Sequence, residues 1–176
     1  MDYEKLSRKF RKKPLHEFNK GSEVFVEYDK NQIANILPHR DPFLLIDSIE
    51  AIDIENKAIM GKRTIDPADP VFKGHFPGYP LYPGVLHIEM IGQLNMCLFH
   101  FVSNNKTSIE SGEDNNIRLV KIHHVLFQHE VLAGETVTVI GKQTEDYDGF
   151  FCKGMGQIVN KDGKICTVAI IEAYFV

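Results

Sequence analysis

The sequence predicts an α+β fold in which an antiparallel sheet covers one long, buried helix. Residues 85–102 are apolar on every side of a helical projection, and among Gly and Pro only Gly92 interrupts them. A helix that is apolar all round is buried. Four strand-like segments follow it, and Asp-Gly pairs stand where tight hairpin turns are expected. A helix-containing half followed by a meander of strands is typical of α+β proteins.

The central helix could also be taken for a membrane span, because its length of roughly 27 Å is close to the thickness of a bilayer. We reject that interpretation, since polar side chains interrupt the run and a carboxylate in a lipid-facing helix is costly. These side chains are His87, Glu89, Gln93, Asn95 and His100. No membrane association is expected, and a sheet wrapped around the helix is the remaining way to bury it.

Residues 1–23 are predicted to form a basic N-terminal extension, followed by a single domain over residues 24–176. The first 20 residues carry seven Lys or Arg and three Asp or Glu, whereas the whole chain has a net charge of −4. Few of them are apolar, so we expect a solvated arm that does not pack firmly. The alternative is that Arg11, Lys12 and Lys13 attract an acidic partner or a phosphate.

The elements before the central helix follow from local patterns. The sequence predicts a strand over 24–28, a short helix capped by Asp29 and Gln32, and a hairpin with its turn at Glu55-Asn56. The hairpin strands lie within 43–54 and 57–65. After the helix, residues 103–116 form a polar connector and four strands complete the chain, at 117–127, 135–145, 150–160 and 164–176.

Length and composition indicate one folded domain with a sizeable core. The chain has 176 residues, of which 43% are hydrophobic and 25% charged. The charged N-terminus has no secretory h-region, so we expect a cytoplasmic protein. Cys97, Cys152 and Cys166 lie in apolar segments without metal-site spacing, which favours buried free thiols.

Residues 74–93 join a Gly/Pro-rich loop to the apolar helix and carry the most distinctive motifs. Gly-His-Phe-Pro-Gly stands at 74–78, Pro-Gly-Val-Leu at 83–86 and Glu-x-x-x-Gln at 89–93. Upstream, residues 37–47 read Leu-Pro-His-Arg-Asp-Pro-Phe-Leu-Leu-Ile-Asp. In order and spacing these motifs resemble those of the 3-hydroxyacyl-[acyl-carrier-protein] dehydratases of type II fatty-acid synthesis. A third, looser match lies at 127–135, and the resemblance covers roughly residues 30–176.

The resemblance implies a hot-dog fold, in which a curved antiparallel sheet wraps around one long central helix. It also implies a homodimer with active sites shared between subunits, and possible assembly of three dimers into a hexamer. The substrate would be carried by the phosphopantetheine arm of acyl carrier protein, and no further cofactor is expected. The implied reaction converts a (3R)-hydroxyacyl thioester to a trans-2-enoyl thioester, in fatty-acid or related polyketide or polyene biosynthesis.

The family's catalytic pair falls on His75 and Glu89. Removal of water from the substrate needs a base for the α-proton, an acid for the departing hydroxyl and a donor to the carbonyl oxygen. We expect His75 to be the base and Glu89 the acid, with the pKa of Glu89 raised by burial in the apolar core. The backbone N–H of Gly84, at the helix start, is the expected oxyanion donor. Further substrate contacts are expected at Phe76, Pro83 and Gln93.

Several positions depart from the family pattern. Asp41 stands where an aromatic residue is usual, and Tyr79 and Tyr82 replace the usual Asn and a Met-like residue. These changes leave the chemistry in place but affect the expected length and shape of the acyl chain.

Two alternatives stay open at the level of the sequence. One is a hot-dog acyl thioesterase, and the other is a non-catalytic subunit that binds an acyl chain or pairs with an active partner.

No metal or nucleic acid is expected as a partner. His123, His124 and His129 are close in sequence, but neighbouring strand residues point to opposite faces and no ligand of suitable spacing accompanies them. Gly154-x-Gly156 lies between predicted strands instead of before a helix, so it is not a nucleotide-binding signature.

Overall fold

A computed structural model describes residues 2–19, 21–109, 117–145 and 151–175. Over these residues, a seven-stranded antiparallel sheet surrounds one long helix. The elements in chain order are α1 (Tyr3–Phe10), β1 (Val24–Asp29), α2 (Lys30–Ile33), β2 (Ser48–Asp53), β3 (Ala58–Thr64), a 3₁₀ turn (Pro70–Lys73), α3 (Gly84–Asn104), β4 (Ile117–Phe127), β5 (Thr136–Glu145), β6 (Phe151–Val159) and β7 (Ile165–Phe175).

The order of strands across the sheet is β1-β2-β3-β5-β6-β7-β4, and every neighbouring pair is antiparallel. The predicted β2–β3 hairpin and the β5–β6–β7 meander are therefore confirmed. The predicted turn at Asp148-Gly149 lies outside the described residues, as do residues 110–116 of the connector. Helix α3 lies between β3 and β4 in the chain. Strand β4 pairs with β7 instead of β3, and it forms one edge of the sheet.

Helix α3 is the core of the domain, as predicted. Residues 90–101 are buried except Gly92, and their apolar members pack with the inner face of the sheet. The helix is long and apolar enough to cross a membrane by composition alone, yet 72% of its most apolar window is buried inside the fold. Burial by the sheet therefore accounts for its composition. The three cysteines are buried free thiols, as expected.

Two glycines on β6 let the helix approach the sheet closely. A Cβ atom at Gly156 would overlap the side chain of Ile91, and one at Gly154 would stand 2.6 Å from Oδ1 of Asn95. Interiors are too well packed to absorb such an overlap without movement of the backbone. These glycines therefore set the distance between helix and sheet.

We predict that Gly156→Ala destabilises the fold by about 1–3 kcal/mol, because the new methyl group must displace Ile91. Gly92→Ala is the matched control, since no heavy atom lies within 4 Å of its Cβ position. In a helix this control should stabilise by up to ~1 kcal/mol. Urea unfolding of both variants measures the difference, and equal stabilities would contradict this close packing.

The expectation of a loosely packed N-terminal arm is wrong. Tyr3, Leu6, Phe10, Leu15 and Phe18 form a second apolar cluster with the outer face of the sheet: Ile140, Met155, Ile165, Val168 and Ile170. The buried side chain of Gln157 on β6 anchors this segment. Its amide donates to the carbonyls of Phe10 (2.6 Å) and Lys13 (2.9 Å), and it accepts from the Leu15 N–H (2.7 Å).

A buried contact between His16 and Asp53 also holds the N-terminal segment to the end of β2. Nε2 of His16 lies 3.0 Å from Oδ2 of Asp53, at the end of β2. Asp53 also accepts hydrogen bonds from Ser22 and Asn56. The N-terminal segment is thus a packed layer outside the sheet, although the Lys and Arg side chains within residues 5–13 remain exposed.

Candidate active site

Main-chain hydrogen bonds hold the Gly/Pro-rich loop before α3 at its tip and at its C-terminal end. At its tip, Phe76 and Tyr79 exchange two backbone bonds of 3.0 and 2.9 Å, and Gly78 has a φ of +80°, which glycine adopts without steric cost. At its end, the Tyr82 N–H donates to the Val131 carbonyl at 2.8 Å. The peptide bond between His75 and Phe76 is cis. The loop therefore presents its side chains from a fixed backbone.

His75 is half-buried, and its ring is oriented by the same loop. Its Nδ1 lies 2.9 Å from the carbonyl oxygen of Leu81. A carbonyl can only accept, so Nδ1 carries the proton and the lone pair of the neutral ring is on Nε2. The ring stacks on Phe76 with centroids 4.1 Å apart, and Phe76 itself is 49% exposed. His75 can thus offer a proton-accepting nitrogen at a defined position.

Gly84 is the first residue of α3, as predicted, and follows the buried Pro83. Among the residues that the structure describes, no side chain caps this end, and the first N–H groups of a helix have no intrahelical acceptor. A Cβ atom at Gly84 would stand 2.8 Å from the Phe127 ring, so glycine is what lets that ring lie against the helix start. The backbone N–H here is suited to hold a carbonyl oxygen on which negative charge develops.

A cavity of about 390 Å³ adjoins the helix start, with Gly84 in its wall. The wall includes Leu81, Tyr82, His87, Phe127 and Val131, so it is mostly apolar. Cavities of this volume and character commonly bind small ligands. The cavity therefore places apolar space beside the candidate oxyanion donor.

Glu89 lies one and a half turns into α3, and its neighbours are Gln93 on the same helix and His39 from the loop before β2. Its Oε1 accepts from Nε2 of Gln93 at 2.9 Å and lies 3.4 Å from Nε2 of His39. Within the described residues Oε2 has no hydrogen-bond partner. This second oxygen is the one that remains available to a substrate hydroxyl.

The predicted rise in the pKa of Glu89 is wrong for the isolated chain. The His39 ring beside Glu89 lowers the pKa of its carboxyl, burial raises it, and the hydrogen bond from Gln93 lowers it further. The net effect is a pKa below the ordinary value. The burial that the sequence indicated is present, but the neighbouring His39 ring and the bond from Gln93 together outweigh its effect on the pKa.

Gln93 is completely buried and joins α3 to the loop before β2. Its Oε1 accepts from the Leu45 N–H at 2.8 Å, while Nε2 donates to the Phe43 carbonyl and to Glu89, both at 2.9 Å. Three hydrogen bonds to the protein occupy this amide. We infer that Gln93 positions Glu89, and a direct contact between Gln93 and substrate stays a prediction.

We predict that His39→Leu raises the pKa of Glu89 towards its ordinary value of 4.5, because the largest lowering contribution is removed. A carboxyl with a lowered folded-state pKa stabilises the fold above about pH 4.5, and this contribution is lost as pH falls through the lower value. The variant should therefore lose less stability on acidification. A ¹³C NMR titration of the Glu89 carboxyl measures the shift, and an unchanged pKa would contradict it.

The predicted site residues fall into two groups in the chain, and each group has its own surroundings. His75 and Gly84 lie at the loop and at the helix start, whereas Glu89 contacts His39 and Gln93. The assignment of these residues to a site stays a prediction, and the sequence did not indicate that His87 lines the cavity. Its Nδ1 lies 2.7 Å from Oγ1 of Thr167, and burial lowers the pKa of His87 to about 4, so the ring is neutral near pH 7.

Comparison with known proteins decides the family. A FabA-like domain matches residues 37–169, which is more than half of the chain. The chain belongs to the FabA-like family. This family match leaves the N-terminal segment outside, including α1 and the basic residues that follow it.

Relatives of this FabA-like chain include enzymes named 3-hydroxyacyl-[acyl-carrier-protein] dehydratase FabZ. The enzyme from Geobacter metallireducens is 33% identical over 148 residues, covering 84% of this chain and 93% of the relative. The enzyme from Nitratiruptor sp. is 33% identical over 136 residues, covering 77% and 85%. The one from Xanthomonas campestris is 37% identical over 112 residues, covering 62% and 68%.

Solved structures with the same fold include a dehydratase and a thioesterase. The dehydratase heterocomplex ApeI:P from Xenorhabdus doucetiae aligns with a TM-score of 0.63 at 19% identity, covering 82% of this chain and 90% of that one. A mutant of thioesterase PA1618 from Pseudomonas aeruginosa gives 0.57 at 14% identity, covering 85% and 94%. The predicted hot-dog fold is therefore confirmed.

Proposed function

We propose that the protein removes water from (3R)-hydroxyacyl thioesters of acyl carrier protein, giving trans-2-enoyl thioesters. The observation that carries this proposal is the orientation of His75. Its Nδ1 carries the proton and donates to the Leu81 carbonyl, so the lone pair of Nε2 is available to act as a base. His75 precedes the start of α3 at Gly84 by nine residues, and among the described residues no side chain caps that start. Family membership and the FabZ relatives support the same reaction.

The proposed reaction assigns each group one task. Nε2 of His75 takes the proton from C2 of the substrate, and the Gly84 N–H stabilises the charge that develops on the thioester oxygen. Glu89 then gives a proton to the 3-hydroxyl as the C3–O bond breaks, so that water and the enoyl thioester leave. A bound acyl chain excludes water from Glu89, which raises its pKa towards the protonated form that this step requires.

The two halves of the site are proposed to meet in a homodimer. Strand β4 is an edge of the sheet and exposes Leu119 (42%), Val120 (52%) and Ile122 (47%). A long apolar edge strand invites pairing with another strand. Pairing of β4 with a second copy would bury these side chains and bring in a second α3. Three such dimers would then assemble into a hexamer.

The partner in the reaction is proposed to be acyl carrier protein, in the cytoplasm, and no cofactor beyond its phosphopantetheine arm is invoked. Arg11, Lys12 and Lys13 are exposed, and Gln128, in the wall of the cavity, donates to the Arg11 carbonyl at 3.1 Å. This contact places the basic segment beside the cavity. A phosphate or an acidic surface would be attracted to it.

We predict that the double variant Lys12→Glu/Lys13→Glu raises KM for a carrier-bound substrate by about tenfold at low salt, because charge complementarity mainly affects association. KM for a small cysteamine thioester should not change. Lys57→Glu, in the β2–β3 turn, is the control for a change in charge elsewhere. Equal KM values for wild type and the double variant at low salt would contradict a docking role.

One assay distinguishes dehydration from the other functions of this fold. Wild-type protein is incubated with short and long (3R)-hydroxyacyl carrier protein while enoyl absorbance and free thiol are both followed. A dehydratase produces enoyl thioester without releasing thiol, and a thioesterase releases thiol. If neither product forms, the proposal is overturned, and a non-catalytic acyl-binding subunit is the alternative that remains.

A further inference from the structure

His87, the fourth residue of α3, is a buried histidine with one unpartnered ring nitrogen. Its ring is 3% exposed and forms part of the wall of the cavity of about 390 Å³. Nδ1 lies 2.7 Å from Oγ1 of Thr167, on β7, whereas Nε2 has no hydrogen-bond partner among the described residues. A buried polar atom without a partner is costly, so in a native fold it calls for an explanation. A molecule bound in the cavity could supply the missing partner.

Hydrogen-bond accounting indicates which nitrogen of His87 carries the proton. Burial lowers the pKa of His87 to about 4, so the ring is neutral near pH 7 and has a single N–H. Thr167 is completely buried, and within the described residues its hydroxyl has His87 as its one hydrogen-bond partner. If Nδ1 carried the proton, the Thr167 hydroxyl proton and the Nε2 lone pair would both be unpaired. If Thr167 donates to Nδ1, the N–H at Nε2 is the one group left, so Nε2 is a donor.

This donor lies on the same side of α3 as the helix start. His87 follows Gly84 by three residues, and residues three apart share a face of a helix. Phe127 contacts both positions: its ring would stand 2.8 Å from a Cβ atom at Gly84, and its centroid lies 6.4 Å from that of the His87 ring. Gly84 and His87 also line the same cavity, whose wall is mostly apolar. The backbone N–H of Gly84 and the ring N–H of His87 therefore adjoin one space.

We propose that the Nε2–H of His87 is a second donor to the thioester carbonyl oxygen, beside the Gly84 N–H. This inference rests on the proposed function, because it assumes that the thioester binds in the cavity at the helix start. When His75 takes the C2 proton, the electron pair moves onto the carbonyl oxygen, and it returns to carbon as the C3–O bond breaks. A neutral imidazole N–H stabilises that oxygen without giving up its proton. The Phe127 ring, which is 56% exposed, would turn aside to admit the oxygen.

The first test determines the tautomer of His87 in the free protein. In protein labelled with ¹⁵N-histidine, the chemical shifts of the two ring nitrogens distinguish an N–H from a lone pair, and loss of the signals in His87→Phe assigns them. We expect the proton on Nε2 at pH 7. A proton on Nδ1 would overturn the proposal, because Nε2 would then have no hydrogen to donate.

The second test measures the contact with the carbonyl by infrared spectroscopy of a bound saturated acyl thioester with ¹³C at the carbonyl carbon. This probe lacks the 3-hydroxyl and cannot be dehydrated. A hydrogen bond polarises the carbonyl and lowers its stretching frequency, so the band should lie at higher frequency in His87→Phe than in wild type. His87→Gln keeps an N–H and should restore part of the shift. His100→Phe is the matched control, because His100 is also buried on α3 but does not line this cavity.

Turnover of a (3R)-hydroxyacyl thioester is measured on the same preparations. We expect His87→Phe to lower kcat by about 100- to 1,000-fold, which is the usual effect of losing one oxyanion donor. His100→Phe should stay within about twofold of wild type. His87→Leu replaces the phenylalanine variant if that protein does not fold. A carbonyl band and a kcat that do not change on removal of the His87 imidazole would overturn the proposal. A band that depends on His87 in a wild-type protein that forms no enoyl product would instead count against the dehydratase function alone.

Discussion

Replacement of Glu89 by glutamine is expected to lower kcat by about 100- to 10,000-fold, which is the usual contribution of a positioned acid or base. The amide has the same shape as the carboxyl but cannot deliver the proton that the departing hydroxyl needs. Its oxygen can still accept the hydrogen bond that Oε1 receives from Gln93. The loss should therefore fall on turnover and leave the melting temperature nearly unchanged, as measured by enoyl formation and calorimetry.

The control for this change is Glu172→Gln. Glu172, on β7, pairs with His123 on the neighbouring strand β4 and has no assigned role in the reaction. The same loss of a carboxylate there should leave kcat within about twofold of wild type, as is usual for substitutions away from an active site. Comparable losses at Glu89 and Glu172 would mean that the effect is not specific to the acid.

Replacement of His75 by alanine is expected to reduce kcat by a similar factor, about 100- to 10,000-fold, because the base for the C2 proton is removed. The loop should keep its shape, since backbone bonds at Phe76, Tyr79 and Tyr82 hold it. Exchange of the C2 proton with deuterated solvent isolates the step that His75 performs. His75→Ala should abolish this exchange.

Added imidazole gives a control for the missing base. It should restore part of the turnover of His75→Ala and none of that of Glu89→Gln, because only the first variant lacks an imidazole. Full C2 exchange in His75→Ala would contradict the role of His75 as the base.

Most helices and strands could be predicted from the sequence, because neighbouring residues determine where a helix begins and which segment forms a strand. Pro83-Gly84 marks the start of α3, and the capping box of Asp29 and Gln32 begins α2 as expected. The strand pattern of residues 117–127 matches β4 in full. The position of β4 beyond β7 could not be derived in the same way, since it depends on where α3 returns the chain to the sheet.

The two predictions that the structure contradicts depend on contacts between residues far apart in sequence. Gln157 binds Leu15, which lies 142 positions earlier in the sequence. The few apolar residues of the N-terminal segment pack on the outer face of the sheet, and their small number alone did not predict this packing. His39 lies fifty positions before Glu89 and reverses the direction of its pKa shift. Burial can be expected from an apolar helix, but the donors that reach a buried carboxyl depend on the tertiary fold.

One active site is proposed to combine His75 of one subunit with Glu89 of another. The decisive measurement mixes the His75→Ala and Glu89→Gln proteins, exchanges their subunits by mild denaturation and refolding, and follows enoyl formation. In random dimers, half are mixed and each mixed dimer has one complete site, so activity should recover to about a quarter of wild type. Activity no higher than that of either variant alone, in verified mixed dimers, would contradict a shared site.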